Sequence, residues 1–187
     1  MSFLQLENES DGLYIKHHYQ LGKFVVNDEP VDFEYFLLSP DFYTGWGRYD
    51  SQYEWKWDKV QGVAEGDKKQ HYEDGFKRAF SVQLYIKDKG TYLWQRFSRA
   101  EGRAFDQVMS DAWPSKEDGK VVCVKYNGSE KITLQGGSKM YVPNLSFEKW
   151  VAKPEGFGEM VEDLSSEEQF KKDFSDTPDI KEDDIPF

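Results

Sequence analysis

The sequence predicts an all-β protein with one helix, followed by a disordered acidic C-terminal tail. Three observations carry that prediction. Apolar residues alternate with period two in several separate runs, one capped segment has helical spacing, and the charge imbalance is confined to one end. The 187 residues hold 35 Asp or Glu against 24 Lys or Arg, a net charge of −11. Twelve of the acidic residues lie in 155–187, against only Lys171, Lys172 and Lys181, so residues 1–154 carry just −2. The division expected is therefore a folded domain over 1–154 and a tail over 155–187.

The first segment, residues 13–38, has apolar runs broken at Gly22 and at Asn27-Asp28-Glu29-Pro30, which reads as two strands or one interrupted strand. Residues 53–57, Tyr-Glu-Trp-Lys-Trp, alternate strictly and place Tyr53, Trp55 and Trp57 on one strand face. Next, Phe80, Val82, Leu84 and Ile86 alternate with Ser81, Gln83, Tyr85 and Lys87, the pattern of a half-buried strand. The break Asp88-Lys89-Gly90 leads into residues 91–97 and predicts a hairpin. Ser98 followed by Glu101 is a capping box, and Ala104, Phe105, Val108, Met109 and Ala112 follow at helical spacing until Pro114. A helix over 99–112 is expected. Residues 121–126 and 131–134 flank Asn127-Gly128, a strong signal for a two-residue hairpin turn. Further strands are expected around 139–142 and 145–151.

A long N-terminal strand region, a hairpin, one helix and more strands is the element order of an OB-fold, with an irregular small β-barrel or sandwich carrying one added helix as the alternative. The OB-fold is a five-stranded, partly open Greek-key barrel with a helix between its third and fourth strands.

The aromatic content of 17%, with 14 Phe, 11 Tyr and 6 Trp, excludes a wholly disordered chain. One cysteine excludes an intrachain disulfide framework, and His17, His18 and His71 are too few for a usual structural zinc site. No metal or cofactor is expected. The start MSFLQLENES has no basic, apolar leader pattern, and no run approaches the ~18 apolar residues of a membrane span. The expectation is a soluble, cytoplasmic protein without membrane contact.

Walker, dinucleotide-glycine, Gly-x-Ser-x-Gly and His-Glu-x-x-His patterns are all missing. Gly45-Trp46-Gly47 and Gly136-Gly137 read as turns, and Cys123 as a small buried strand residue. A binding protein is expected, not an enzyme. The segment 68–103 holds nine Lys or Arg against four Asp or Glu, with seven aromatics interleaved. Rings stack on unpaired bases at ~1–3 kcal/mol each, and cations neutralise the phosphates joining them. The residues expected to touch nucleic acid are Lys77, Arg78, Tyr85, Lys87, Tyr92, Trp94 and Arg96 from this segment. Trp46, Arg48, Tyr49, Trp55 and Trp57 join them from a cluster of ten aromatics over 33–57. Trp46, between two glycines, reads as part of a mobile loop. Aromatics on strands are more often core than ligand-binding, and that reading stands beside the functional one.

The chain ends Glu182-Asp183-Asp184-Ile185-Pro186-Phe187, an acidic stretch finishing in a rigid proline, a large ring and a carboxylate. Such an end suits an apolar pocket rimmed by basic residues. In Asp183, Asp184, Ile185, Pro186 and Phe187 the sequence resembles the bacterial and bacteriophage single-stranded DNA-binding proteins, whose acidic tip ends in these five residue types. The resemblance implies an OB-fold that coats single-stranded DNA during replication, recombination and repair, in the cytoplasm of a bacterium or a phage-infected host. It also implies a tip that recruits replication, recombination and repair proteins, with Phe187 as anchor. The body lacks the bacterial family's opening strand pattern and its Gly/Gln/Pro-rich linker, and is more similar to divergent phage versions. The oligomeric state stays open, a homo-oligomer included. Two other classes remain: an acidic interaction protein that mimics DNA, and an RNA-binding OB domain.

Overall fold

A computed structural model of the chain describes residues 13–161, and its architecture is mostly β-sheet around one long helix. In chain order the strands are β1 (Lys16–His18), β2 (Lys23–Val26), β3 (Glu29–Pro30), β4 (Tyr35–Leu38), β5 (Tyr43–Asp50) and β6 (Gln52–Trp57). A short helix α1 (Lys68–Glu73) precedes the hairpin β7 (Lys77–Ile86) and β8 (Gly90–Arg96). Helix α2 (Arg99–Ala112) and a 3-10 turn lead to β9 (Lys120–Thr133) and β10 (Lys139–Ala152).

Strands β1 to β3 form a small antiparallel sheet, and the other seven form one large sheet. The break expected at Asn27-Asp28 is the β2–β3 turn, where Asn27 (φ 50°) and Asp28 (φ 64°) both adopt the left-handed conformation of a tight hairpin. In the large sheet β7 is the organising strand. One edge pairs with β8 along its length, while the other pairs with β5 over Lys77 to Ser81 and with β4 at Leu84 and Tyr85. Strands β4 and β5 are therefore one strand interrupted at 39–42. β4 also pairs with β9, which pairs with β10, and β5 pairs with β6.

Helix α2 begins and ends where the capping and periodicity predict, with the Glu101 N–H donating to Ser98 Oγ at 3.4 Å. Its apolar stripe lies on the sheet. Phe105 stacks on Phe80 (4.4 Å between centroids, 4° between planes), and Ala112 O accepts the Trp150 indole N–H at 3.0 Å. The rest of the core, including Phe24, Phe36, Leu38, Val82, Leu84, Val108, Val122 and Val124, fills the space between this helix, the large sheet and β2.

Asn127-Gly128 is not a turn. β9 runs unbroken through it, and the reversal lies instead at Gly136 (φ 94°) and Gly137 (φ 89°). Tyr126 faces Leu145 and Ser129 faces Pro143, so Asn127 and Gly128 together oppose the single residue Asn144. A positive-φ glycine serves a β-bulge as readily as a hairpin turn, and the flanking pattern alone does not separate them. The strands expected over 139–142 and 145–151 are accordingly one strand, β10. Helix α1 was not foreseen, because it has no apolar stripe; it starts on Asp67, whose Oδ1 accepts the Lys69 N–H at 2.9 Å.

The glutamate of the capping box does not return to the Ser98 N–H. Its carboxylate, 3% exposed, points into the core and gathers three donors. The Trp94 indole N–H (2.7 Å) and the His17 backbone N–H (3.2 Å) donate to Oε2, and the Arg96 Nε–H (2.9 Å) donates to Oε1. This one side chain ties α2, β8 and β1 together with charge-assisted hydrogen bonds in a region closed to water. Glu101→Ala strands a buried indole N–H and a buried guanidinium, and an expected loss of ~3–5 kcal/mol will show in urea unfolding. Trp94→Ala empties a fully buried site and is expected to cost a similar ~3–5 kcal/mol.

His17 adds a pH dependence. Burial holds its imidazole down at about 4 from an ordinary 6.5, against an opposing pull from Glu101. The neutral ring bonds Ser129 Oγ at 2.7 Å and meets Phe24 edge-on at 5.3 Å. Above pH 6.5 neither the folded nor the unfolded ring is protonated and stability is full. As pH falls from 6.5 towards 4 only the unfolded chain takes the proton, which removes up to roughly 3 kcal/mol. Urea midpoints across that range are expected to fall with pH, and His17→Phe is expected to flatten the slope.

Candidate nucleic-acid interface

The hairpin register decides which side chains face outward. Residues paired across β7 and β8 are Phe80 with Arg96, Val82 with Trp94, Leu84 with Tyr92 and Ile86 with Gly90. Paired residues share a sheet face. Tyr92, Trp94 and Arg96 therefore lie on the core side with the aliphatic row, not beside Tyr85 as a solvent-facing platform. Trp94 is 0% exposed, Tyr92 7% and Arg96 6%. The reason is the three-residue loop 87–89, with Asp88 at φ 65°, which gives the hairpin the opposite parity to the one a Tyr85–Trp94 face requires. These three are corrected from ligand contacts to core.

Trp46 is corrected too. It lies in the middle of β5, 1% exposed, and not in a mobile loop. His71 of α1 stacks on its ring (4.7 Å, 28°), and the Arg78 guanidinium lies over the ring at 4.8 Å. Arg78 in turn donates to both oxygens of Asp58, at 3.2 and 2.7 Å. Burial pushes the Asp58 carboxyl up, but hydrogen bonds from Arg78, the Thr44 hydroxyl and the Glu65 N–H outweigh it and hold the group below its ordinary value. Arg48 pairs with Glu54 at 3.0 Å, donates to Asp74 O at 2.7 Å and rests over Phe76. All three arginines of the expected set, Arg48, Arg78 and Arg96, are thus fastened to the protein.

The opposite face of the same strands is different. Gly45 pairs with Trp57, Gly47 with Trp55 and Tyr49 with Tyr53, so these residues share the outward face of the β5–β6 hairpin. Trp55 and Trp57 are nearly parallel, 5.4 Å between centroids and 6° between planes, and Tyr53 continues the row at 6.1 Å and 13°. Tyr49 packs on Tyr53 at 4.9 Å, Tyr43 on Trp57 at 6.3 Å, and Phe97 flanks Trp55 at 5.6 Å. The result is a row of six rings along one sheet face, with Tyr43 42% and Tyr49 54% exposed and the tryptophans half-buried. At these separations the rings touch one another.

The two glycines make the row possible. A Cβ on Gly47 would stand 2.8 Å from Trp55 Cζ3 and from Phe97 Cδ1. One on Gly45 would collide with Lys56 O and come 2.9 Å from Trp57 Cε3. Bare backbone leaves the space that the indoles fill. Gly45 and Gly47 are therefore strand residues and not turn residues.

Lys77 pairs with Gly47 and so belongs to this face, and among the described residues it has no ion-pair partner. Tyr85 faces outward as expected but is covered. Residues 155–161, expected in the tail, lie against β8, and Phe157 packs on Tyr85 at 5.8 Å while the Val161 N–H donates to Thr91 O at 3.0 Å. Lys87 is exposed in the β7–β8 loop, away from the row. Of the twelve expected contacts the structure brings together Tyr49, Trp55, Trp57 and Lys77. It adds Tyr43, Tyr53 and Phe97. Tyr53 was visible in the alternation of 53–57; Tyr43 and Phe97 needed the register. The tip residues Asp183, Asp184, Ile185, Pro186 and Phe187 lie outside the described residues. Cys123 is buried, and burial pushes its thiol up, away from reactivity.

Among the described residues no group of three His, Cys, Asp or Glu is placed to hold a metal ion, and no helix is long and apolar enough to cross a membrane. Gly47→Val is expected to displace Trp55 and Phe97. The near-UV circular dichroism of the row should change strongly while the far-UV β signal persists. No protein-family model, curated protein or solved structure matches this chain.

Proposed function

We propose that this protein binds single-stranded DNA without strong sequence preference, by stacking bases on the Tyr43–Trp57–Trp55–Tyr53–Tyr49 row and neutralising phosphates with Lys77. The observation that carries the reading is the row itself. Large rings turned outward on a sheet face expose apolar surface at a cost, and a ligand with flat apolar faces removes that cost. Duplex DNA hides its base faces, so the row selects unpaired strands. The near-neutral body, at −2 over 1–154, leaves the phosphate backbone unopposed by a strongly acidic surface.

The connectivity supports an OB-type barrel. β4–β5 acts as a bent first strand flanked by β7 and β9, β8 completes the first three-stranded meander, α2 follows it, and β10 returns beside β9. The stacking row then lies on the first strand and on β6, within the connection between the first and second strands, one of the loops with which OB-folds take oligonucleotides. The Asp183–Phe187 tip is proposed to recruit replication, recombination and repair proteins, and its support is the sequence of the tip alone. A cytoplasmic setting goes with that role.

The test is quenching of tryptophan fluorescence by an oligo-dT strand, with duplex DNA and matched RNA as competitors, at two salt concentrations. Trp55→Ala and Trp57→Ala are each expected to weaken binding roughly 5- to 150-fold, the equivalent of ~1–3 kcal/mol per stacked base, with stability nearly unchanged. Lys77→Ala is expected to lower the slope of log affinity against log salt by about one. Quenching by duplex equal to that by single strand, or none by either, overturns the reading; preference for the RNA strand moves it to an RNA-binding barrel.

A further inference from the structure

Strand β6 is an open end of the seven-stranded sheet. Every second residue of Gln52–Trp57 turns its N–H and C=O away from β5. Among the described residues no backbone hydrogen bond other than the pairing with β5 reaches this strand. Sheet proteins blunt such edges with proline, a bulge, a covering loop or charged side chains, and of these β6 has only the charges of Glu54 and Lys56, which repel a partner strand only where like charges meet. β6 contains no proline, and its pairing with β5 runs without a register shift.

The strand is also complementary to itself when reversed. Run antiparallel to a copy with Trp55 on a two-fold axis, it sets Tyr53 opposite Trp57 on one face and Glu54 opposite Lys56 on the other. Aromatic pairs and opposite charges directly across an antiparallel pair stabilise it, and like charges destabilise it. The neighbouring registers that keep the faces aligned put the axis at Glu54 or at Lys56, and each then sets a charge against itself. Of these three registers only the first satisfies both faces. Lys56 is exposed, resting its ammonium over the Phe76 ring at 4.4 Å, and Glu54, which accepts from Arg48 at both carboxylate oxygens, stays partly exposed. We propose that a second copy of this chain docks along the edge of β6 in this register.

The docked pair is a continuous sheet, and Tyr53, Trp55 and Trp57 of both copies lie on the same face of it. Insofar as the row stacks bases, a consequence that rests on the function proposed above, two protomers offer one strand a single extended platform. A contact between two six-residue strands falls below the ~1,200 Å² of a stable interface, so the pairing is weak and concentration-dependent.

Sedimentation of the full chain over about 1 to 200 μM tests it. A monomer–dimer equilibrium is expected for the native sequence. Lys56→Glu and Glu54→Lys are each expected to weaken it at least tenfold. An equimolar mixture of the two variants is expected to restore it, because each supplies the charge that the other lacks. A native chain that stays monomeric throughout, a dimer that Lys56→Glu leaves intact, or a mixture of folded variants that does not recover association overturns the proposal. Should Glu54→Lys fail to fold for want of its Arg48 pair, the dimer constant of Lys56→Glu decides alone. Neither side chain lies on the ring row, so oligo-dT quenching by the Lys56→Glu variant reports separately on the stacking function.

Discussion

Everything on the two faces of the large sheet follows from the registers that meet on β7. Its three partners β8, β5 and β4 all pair so that even-numbered residues share one face and odd-numbered residues the other. Slipping β8 by one residue would exchange Tyr92, Trp94 and Arg96 for Leu93, Gln95 and Phe97 throughout. The even face has the continuous apolar row Phe80, Val82, Leu84 and Ile86, and the helix α2 seals it. The odd face is left to Tyr43, the two glycines and the indoles of β6. Core and candidate site are two outcomes of one parity.

The Glu101 carboxylate makes that parity costly to change. It accepts from Trp94 and Arg96 of β8 and from the backbone of His17, all within 3.2 Å. A one-residue slip would carry both β8 donors away and leave a buried charge unpaired. The same residue type that caps helices in solution is used here as an internal clamp between helix, sheet and the small β1–β3 sheet. The helix N-terminus next to it favours negative charge in that position.

On the outer face the limiting constraint is space. Indoles lie against a strand only where the strand has no side chains, and Gly45 and Gly47 supply that clearance at alternate positions. Trp46 between them points the other way, held by His71, Arg78 and, at its indole N–H, Glu65 O at 3.2 Å. The Gly-Trp-Gly triplet is thus a strand segment that anchors on one face and clears the other. Residues 154–161 cover the far half of the odd face at Tyr85, which confines the open rings to the β5–β6 half.

Much of the architecture was legible in the residues. Alternation fixed β6 and β7, the Asp88-Lys89-Gly90 break fixed the hairpin, and Ser98 with the Phe105–Val108–Met109–Ala112 stripe fixed α2 to its ends. Local physics decides these, since each depends on residues within a turn or two. Asn127-Gly128 misled because positive φ serves a bulge as well as a turn, and α1 was silent because it buries none of its residues.

The sequence by itself determined that the chain is β-rich with one long helix, that its acidity sits at one end, and that aromatic rings make up 17% of it. Only the tertiary structure decided which of those rings face outward. An alternating strand carries the same pattern whichever face is buried, and the choice comes from cross-strand register, which is set by loop length and by the partner's side chains. Trp94 and Trp55 look alike in the chain; one closes on a buried carboxylate, and the other lies over a glycine at the surface.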